Sequence, residues 1–458
     1  MAKKFKKLIP KKLVNFYHYL WALAGALIYK FPSRNLIVIG VTGTKGKTSV
    51  SYLTYALLQS AGIKTALFSS QYFCINDELK ENTVRLTTPG HGFFQKFLAE
   101  ATKAGCEVAI LEITSEGLVQ SRHRFIDFDI VAFINIHPEH IEHHGGYLNY
   151  REAKSLLFRN LLKGKNKLFR SKLIKKTIVV NLDEKEADYF LSFPAQQKIT
   201  YSIENTYSYP NHLQPQKYTL GPTGTKFYWE NQIFNFKMPG RQYLSNAFAS
   251  LSIIHGLDLN VKSFNQALAD FNGLTGRFEV ISAGGIKVII DYAHTPGSIE
   301  ALYQNIWQIF KPKRLLCLVS SAGGHRDKWK RPVIGEIACR YCNETIITDE
   351  DPVDEDPMAI MRSIETGLKR YLAEYELQKP YKIIPDRTEA IKTLVDQAQK
   401  DDVVVLIGKG AEKSIETADG PIPWDEEEAV RKALNSKQRQ LRRSNRKIYS
   451  KISTKASG

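Results

Sequence analysis

The chain of 458 residues is too long for one compact core, and its length predicts two or three domains. A hydrophobic content of 43% with 24% charged residues is typical of a soluble globular protein, and five cysteines disfavour a disulfide scaffold. Much of the net charge of +17 lies at the two ends, which predicts basic tails and leaves a mildly basic body suited to anionic, phosphorylated substrates.

The N-terminal segment, residues 1–33, is basic and rich in aromatic residues. Its apolar stretch Leu13–Phe31 is interrupted by Asn15, His18 and Lys30, which disfavours a membrane-spanning helix. An amphipathic helix lying on the protein or on a membrane surface is the better interpretation. Because no cleavable signal pattern is visible, we expect a cytoplasmic protein that makes peripheral membrane contact through this segment.

Residues 34–275 predict a central α/β domain. Continuous apolar runs indicate buried parallel strands at Asn35–Val41, Val108–Leu111 and Ile130–Ile136, with helical patterns between and after them. A glycine loop follows the first strand and precedes a helix that ends at Gly62. This order is typical of a P-loop-type ATPase domain with a parallel sheet.

The strand pattern restarts after Thr275, and residues 276–436 predict a smaller, Rossmann-like α/β domain before a basic tail at 437–458. Its predicted strands are Val288–Ala293, Leu315–Ser320, Thr345–Thr348, Lys382–Ile384 and Val403–Ile407. Cys339 and Cys342 lack the second cysteine pair of a zinc site, so we interpret them as a half-buried, reduced helical pair.

The loop Gly43-x-x-Gly46-Lys47-Thr48 is the strongest local signal for chemistry. Such a loop directs backbone N–H groups and a helix N-terminus at phosphate oxygens, with the lysine on the β- and γ-phosphates and the threonine hydroxyl on Mg²⁺. Val41 stands where the standard motif has its first glycine, so a plain glycine turn remains the alternative. The predicted ATP-binding residues of this loop are Gly43, Thr44, Lys45, Gly46, Lys47, Thr48 and Ser49.

Four histidines and two glutamates crowd into His137–His144, yet no zinc-hydrolase motif can be read in any register. An exposed loop is the alternative, and it covers His143 and His144. His140 follows one predicted strand and Glu112 ends another, so both are expected to meet the glycine loop at the carboxyl edge of the sheet and to hold Mg²⁺ there.

Eight sequence strings occur in the order found in the Mur ligase superfamily, which the chain resembles from about Asn35 to Leu434. They are G-T-K-G-K-T at 43–48, T-T-P at 87–89, L-E-I-T-S at 111–115, Y-R-E-A-K-S-L-L-F at 150–158, G-R-F-E at 276–279, D-Y-A-H-T-P at 291–296, G-G-H-R-D-K-W-K-R-P at 323–332 and G-K-G-A-E at 408–412. The sixth and seventh strings resemble most the UDP-N-acetylmuramoyl-tripeptide synthetases.

The resemblance implies an ATP-dependent acid–amino-acid ligase of peptidoglycan precursor synthesis. Such an enzyme adds an amino acid to the carboxylate of a UDP-N-acetylmuramoyl peptide through an acyl phosphate, and it produces ADP and phosphate. The implied cofactors are ATP and Mg²⁺, and the implied partners are these small-molecule substrates. We expect no nucleic-acid partner, because no basic, aromatic-interleaved stripe lies within the domains.

The resemblance also implies roles for individual residues. Lys154 matches a lysine that CO₂ carbamylates into a ligand of Mg²⁺, beside Glu112 and His140, although its sequence context alone indicates a surface helix lysine. The implied catalytic residues are Lys47, Lys154, His140 and Arg277. Further nucleotide contacts are Asn246, Arg277, Asp291, His294, Asp386 and Arg387, and Arg277 and Asp291 are expected on opposite sides of a hinge. The donor contacts are Thr87, Thr88, Thr114 and Arg122, and the acceptor contacts are Arg326, Glu350, Asp351, Gly408 and Glu412.

Two departures from the family pattern leave alternatives open. The family has a longer segment before its glycine loop, which forms a uridine-nucleotide-binding domain. A ligase with another donor, of the folylpolyglutamate type or from a lipid-linked cell-wall amidotransferase, is therefore the second interpretation. The sequence Glu350-Asp351-Pro352-Val353 replaces the D-N-P-R string of diaminopimelate-adding enzymes, which predicts a lysine-like acceptor rather than meso-diaminopimelate.

Overall fold

A computed structural model describes residues 11–75, 78–82, 87–90, 92–137, 144–324 and 326–455. The chain divides into two compact units, Met1–Asn272 and Gly273–Gly458. Each has its own sheet flanked by helices, which confirms the prediction of an α/β protein with a parallel sheet followed by a Rossmann-like domain. Within the described residues, no helix combines the length and the apolar character needed to cross a bilayer.

Unit 1 is built on a nine-stranded sheet of order β11-β10-β9-β6-β1-β5-β2-β3-β4, in which all strands run in one direction except β3, which is antiparallel to its neighbours β2 and β4. The strands of this sheet are β1 (Ile37–Thr42), β2 (Thr65–Phe68), β3 (Tyr72–Ile75), β4 (Glu78–Glu81), β5 (Val108–Glu112), β6 (Ile130–Phe133), β9 (Thr177–Asn181), β10 (Gln197–Tyr201) and β11 (His212–Leu213). Smaller antiparallel sheets are β7 (Leu168–Phe169) with β8 (Lys172–Leu173), and β12 (Lys217–Gly221) with β13 (Gly224–Trp229) and β14 (Gln232–Phe236).

Helices cover both faces of this sheet, which explains why its central strands are continuously apolar. On β1, Ile39 and Val41 pack into the core cluster that contains α2 and α7, whereas Val38 packs into the opposite cluster with α3. The helices of unit 1 are α1 (Lys11–Ile28), α2 (Lys47–Ser60), α3 (Phe93–Lys103), α4 (Ser115–Val119), α5 (Tyr147–Ser155), α6 (Ala187–Leu191), α7 (Arg241–Gly256) and α8 (Asn265–Asp270), with short 3₁₀ turns at Pro32–Asn35, Leu161–Lys163 and Val261–Phe264.

Unit 2 is built on a six-stranded sheet of order β15-β16-β20-β17-β18-β19, parallel except for β15. The strands are β15 (Glu279–Ala283), β16 (Ile286–Asp291), β17 (Leu315–Val319), β18 (Glu344–Ile347), β19 (Tyr381–Ile383) and β20 (Val403–Ile407), and β21 (Ser414–Thr417) with β22 (Gly420–Pro423) forms a hairpin. The helices are α9 (Pro296–Phe310), α10 (Lys330–Tyr341), α11 (Pro357–Glu374), α12 (Arg387–Gln397) and α13 (Glu426–Lys455).

The cysteines of unit 2 correct one prediction. Cys342 forms a disulfide with Cys317 on β17, at a Cα–Cα distance of 6.0 Å, and Cys339 is a buried free thiol. The interpretation of Cys339 and Cys342 as a reduced pair is therefore wrong. A C-x-x-C spacing reports only neighbours along the chain, whereas the partner of Cys342 lies 25 residues away in sequence.

Candidate active site

The glycine loop joins β1 to α2 at the carboxyl edge of the central sheet. Gly46 adopts a φ of 76° and precedes the first helical residue, Lys47, while Ser49 lies in the first turn. A Cβ at position 46 would lie 2.8 Å from Asn246 Oδ1 on α7, so the contact and the φ both require glycine. This close approach places Asn246 against the loop.

Asn135, which follows β6, fixes the shape of this loop. Its side-chain oxygen accepts hydrogen bonds from the backbone N–H groups of Thr44 (2.9 Å) and Lys45 (2.8 Å), and its amide nitrogen donates to Lys45 O (2.9 Å). Lys47 Nζ donates to Thr44 O at 3.1 Å, so the ammonium lies at the loop. Sequence analysis missed Asn135 because it placed the residue inside the predicted strand Ile130–Ile136, whereas β6 ends at Phe133.

Thr48 and Glu112 meet beside the loop. Thr48 Oγ1 donates to Glu112 Oε2 at 3.1 Å, and the same carboxylate oxygen accepts from Ser70 N at 2.8 Å. The pairing of β1 with β5, which places Val41 opposite Glu112, brings the two side chains together. A threonine hydroxyl and a carboxylate are oxygen donors of the kind that Mg²⁺ prefers. His140, the other expected ligand, lies outside the described residues.

Lys154 lies on α5 and is buried, with 2% of its surface exposed. Its Nζ donates to Gly43 O at 2.7 Å and lies 4.5 Å from the centre of the Tyr150 ring. Tyr150 in turn shares a 3.0 Å hydrogen bond with Thr44 Oγ1. The sequence context of Lys154 is that of a surface lysine, but α5 turns this side chain towards the glycine loop.

The residues expected to hold the donor cluster around the N-terminus of α4. Thr88 Oγ1 lies 3.0 Å from Thr114 Oγ1 and accepts from Thr114 N at 3.1 Å. Arg122 donates to Thr88 O, and Thr87 directly precedes Thr88. Thr114 caps α4 by accepting from Gly117 N at 3.1 Å. Since β5 ends at Glu112, the cluster begins two residues beyond the carboxylate beside Thr48.

His144 is a further residue of this region that sequence analysis missed. Its Nε2 lies 3.1 Å from Ser115 Oγ, and Ser115 directly follows Thr114. The histidine ring also lies 5.2 Å from the Tyr150 ring on α5. Its assignment to an exposed loop is therefore wrong, and the ring connects α5 to the start of α4.

In unit 2, Asp291 ends β16 and anchors two backbone groups. Its Oδ2 accepts from Phe278 N at 2.8 Å, and its Oδ1 accepts from Ala293 N at 2.7 Å. The Arg277 guanidinium lies 4.4 Å from the Tyr292 ring centre, and the His294 ring lies 4.9 Å from the same ring. The expectation that Arg277 and Asp291 lie on opposite sides of a hinge is wrong, because both belong to unit 2.

The expected acceptor residues surround a lysine that sequence analysis overlooked. Lys409 is buried, and its Nζ donates to Asp351 Oδ1 at 2.9 Å and to Glu412 Oε2 at 2.7 Å. Tyr292 donates its hydroxyl to Glu412 Oε1 at 3.1 Å, and burial raises the pKa of this phenol, which keeps it a donor. Tyr292 therefore connects the nucleotide string to the acceptor cluster.

The remaining acceptor residues differ in exposure. Glu350 is buried and accepts from Ser320 Oγ at 2.8 Å, and burial raises the pKa of its carboxyl group. Gly408 directly follows β20. Arg326 is exposed. Only Arg326 of these three offers a charged group to solvent.

The Asp386-Arg387 pair has local partners. Asp386 caps α12 by accepting from Glu389 N at 2.7 Å. Arg387 is buried, and its five N–H groups match five hydrogen bonds, two of them to Glu426 at 2.6 and 2.9 Å. The other three acceptors are Ser320 Oγ, Asp349 O and Ile407 O. This geometry favours a structural role for Arg387.

Comparison with known proteins decides the family. Residues 41–254 match the Mur ligase middle domain, and residues 276–410 match the glutamate ligase domain of Mur ligases. The chain is also 31% identical over 434 residues to a UDP-N-acetylmuramoyl-L-alanyl-D-glutamate–2,6-diaminopimelate ligase of Halalkalibacterium halodurans, covering 94% of this chain and 84% of that protein. The chain belongs to the Mur ligase family. The family resemblance seen in the sequence is thus confirmed, and this Mur ligase is an ATP-dependent, Mg²⁺-using enzyme that forms amide bonds.

Other relatives of this Mur ligase agree with that assignment. A UDP-N-acetylmuramyl-tripeptide synthetase of Deinococcus radiodurans is 33% identical over 418 residues, covering 90% of this chain and 80% of that protein. A solved structure of a UDP-N-acetylmuramoyl-L-alanyl-D-glutamate–2,6-diaminopimelate ligase has a TM-score of 0.60 at 28% identity, covering 88% of this chain and 79% of that one. The MurF ligase of Thermotoga maritima in complex with ADP shares the fold, with a TM-score of 0.62 at 17% identity, over 92% of this chain and 84% of that one.

Proposed function

We propose that this Mur ligase joins an amino acid to the peptide carboxylate of a UDP-N-acetylmuramoyl peptide in peptidoglycan precursor synthesis. The observation that carries the proposal is that the segment directly after β5 links the glycine-loop site to the expected donor cluster. There Glu112, hydrogen-bonded to Thr48, is followed within two residues by Thr114 of the Thr88–Thr114–Arg122 cluster. A donor carboxylate held by this cluster lies next to a phosphate held by the glycine loop.

The residues of unit 1 divide the chemistry between them. A carboxylate is a poor electrophile, so it first takes the γ-phosphoryl group of ATP and becomes an acyl phosphate, which the incoming amine then attacks as phosphate leaves. The loop N–H groups and Lys47 hold the phosphates and offset their charge. Arg122 and the two threonines orient the donor. The oxygens of Thr48 and Glu112 fit Mg²⁺, which supplies further charge neutralisation to the phosphates when bound.

We propose that Lys154 acts as a carbamate. The uncharged amine adds to CO₂, one N–C bond forms, and one proton is released, so a nitrogen donor becomes a carboxylate-like oxygen ligand for Mg²⁺. Two observations support this: the side chain is buried, and its Nζ lies 2.7 Å from Gly43 O at the glycine loop. Oxygen ligands suit Mg²⁺, whereas an ammonium ion would be repelled by it.

We propose that the acceptor carries a second ammonium group, as lysine or ornithine does. Asp351 and Glu412 contribute two negative charges against one positive charge on Lys409, which leaves one negative charge in the cluster. Val353 stands where the diaminopimelate-adding enzymes have an arginine for the distal carboxylate. Arg326, which is exposed, would hold the α-carboxylate of the acceptor.

The test is phosphate release in the presence of ATP, Mg²⁺ and UDP-muramoyl-dipeptide, with a panel of amino acids and identification of the product by mass. Lysine or ornithine is expected to give a product one residue heavier than the donor. Turnover with diaminopimelate and none with lysine or ornithine would contradict the acceptor proposal. Turnover only with a lipid-linked or folate donor would instead favour the second interpretation of the family resemblance.

We further propose a cytoplasmic enzyme, because the reaction consumes ATP, and one that acts without a nucleic-acid partner. Peripheral membrane contact through the N-terminal segment belongs to the same proposal. Phosphate release that needs no DNA or RNA and tolerates added salt is the result expected for the purified protein.

A further inference from the structure

Helix α1 packs one face against the rest of unit 1. Ala22, Gly25 and Ala26 are buried on that face. Gly25 lies so close to the segment before α3 that a Cβ at position 25 would be 2.9 Å from Gly92 Cα. Gly92 follows Thr88 by four residues, so α1 rests beside the segment that carries a proposed donor contact.

The opposite face of α1 is apolar and exposed. Positions 16, 17, 20 and 21 follow the i, i+1, i+4, i+5 spacing of one helical face, and positions 27 and 28 lie about three turns further along the same face. Exposure reaches 58% at Phe16 and 69% at Ile28. Of the 21 large apolar side chains exposed in the described part of the chain, seven lie on this one helix. Such a concentration marks an interaction surface rather than ordinary scatter.

The charge of residues 1–34 indicates what binds to the exposed apolar face of α1. Residues 1–34 contain eight lysines and arginines, and no aspartate or glutamate occurs before Asp77. A second copy of the chain would bring two such basic segments together, which like-charge repulsion disfavours. Tyrosine and tryptophan side chains, such as Tyr17 and Trp21, suit the boundary between water and lipid, where lysines attract anionic headgroups.

We propose that α1 docks this Mur ligase on an anionic lipid bilayer, with the face that contains Phe16, Leu20, Trp21 and Leu27 inserted at the headgroup level. The inference deepens the proposed function by naming the face and the lipid chemistry of its membrane contact. The docked helix touches the segment next to Thr88, so the donor-binding cluster works close to the bilayer surface.

The test is co-sedimentation of the full chain with vesicles of phosphatidylglycerol and phosphatidylcholine, or of phosphatidylcholine alone. We expect binding to the anionic vesicles only. The double variant Leu20→Asp/Leu27→Asp is expected to partition roughly tenfold less or weaker still, because two apolar anchors are lost and two negative charges are added. The matched control is Leu168→Asp/Ile233→Asp, which changes two side chains of similar exposure elsewhere in unit 1 and should bind like the parent.

Two further readouts make the test decisive. Trp21 emission should shift to shorter wavelength on anionic vesicles, and the Trp21→Phe variant should lack the shift. Equal binding of the parent and the α1 double variant would assign lipid binding to the basic C-terminal tail and overturn the proposal. A parent that is dimeric without lipid and becomes monomeric in the α1 variant would overturn it too, in favour of a second copy. Since no readout involves catalysis, failure here leaves the ligase proposal standing.

Discussion

Replacing Arg387 by methionine is expected to destabilise unit 2 rather than to weaken ATP binding. The family resemblance implies a nucleotide contact for this residue, but its guanidinium is buried and its five N–H groups match five protein acceptors. Methionine retains much of the aliphatic stem and removes every donor. The variant therefore separates a structural role from a role at the nucleotide.

The expected loss of folding free energy follows from the buried carboxylate that the substitution leaves without its guanidinium partner. Glu426, whose side chain is 1% exposed, loses both hydrogen bonds from Arg387 and remains as a buried carboxylate. Removing one partner of a buried ion pair costs about 3–5 kcal/mol. A domain has a folding free energy of about 5–15 kcal/mol, so the loss removes a large share of it. With a urea slope of about 2 kcal/mol/M, the unfolding midpoint falls by roughly 2 M.

The assay is urea unfolding followed by circular dichroism and by tryptophan emission, since Trp424 donates its indole N–H to Glu426 and reports on this location. Arg340→Met is the control, because the side chains of Arg340 and Glu300 are 46% and 33% exposed and such a solvated pair is worth about 0–1 kcal/mol. The double variant Arg387→Met/Glu426→Leu also removes the buried carboxylate and should therefore recover much of the lost folding free energy. An unchanged midpoint together with a raised KM for ATP would refute the structural role.

Three further substitutions test the site. Lys154→Arg should abolish ligation because guanidinium cannot form a carbamate, and retained activity in this variant would exclude the carbamate. Added formate or acetate should partly restore phosphate release to Lys154→Ala. Tyr292→Phe removes the hydroxyl that donates to Glu412, so the KM for the amino acid should rise several-fold, in line with about 1 kcal/mol, while the KM for ATP stays constant. Burial raises the pKa of Glu184 to about 7, so its favourable contribution to stability, complete below about pH 4.5, is lost as pH rises through 7. Glu184→Gln should therefore have a higher Tm than the parent above pH 7 and an equal one below pH 4.5, and a constant Tm difference across this range would contradict the linkage.

Much of unit 1 could be predicted because its signals are local. A fully buried parallel strand is a continuous apolar run, as in β1, and the residue after such a strand lies at the carboxyl edge of the sheet. This rule placed the glycine loop and Glu112 together before any contact was known. The antiparallel sheet β12-β13-β14 was harder to predict, because its strands are half-exposed and carry no continuous apolar run.

The features that local sequence signals could not predict depend on tertiary contacts. Lys154 has the local context of a surface lysine, and its burial follows from the packing of α5 against a loop 111 residues earlier. Lys409 belongs to the string G-K-G-A-E, but its ion pair is with Asp351, which lies 58 residues away in sequence. Arg387 is the converse case, since the family motif predicts a nucleotide contact whereas the guanidinium is hydrogen-bonded within its own unit.

The acyl phosphate is the central claim of this account, and isotope transfer tests it most directly. The donor peptide is prepared with ¹⁸O in its terminal carboxylate and incubated with the enzyme, ATP, Mg²⁺ and the accepted amino acid. When the carboxylate attacks the γ-phosphorus and phosphate later leaves from the acyl carbon, one labelled oxygen is carried into the inorganic phosphate. Mass analysis should therefore find one ¹⁸O per phosphate released. Unlabelled phosphate with normal amide product would show that ATP activates the reaction by another route, and would contradict the account.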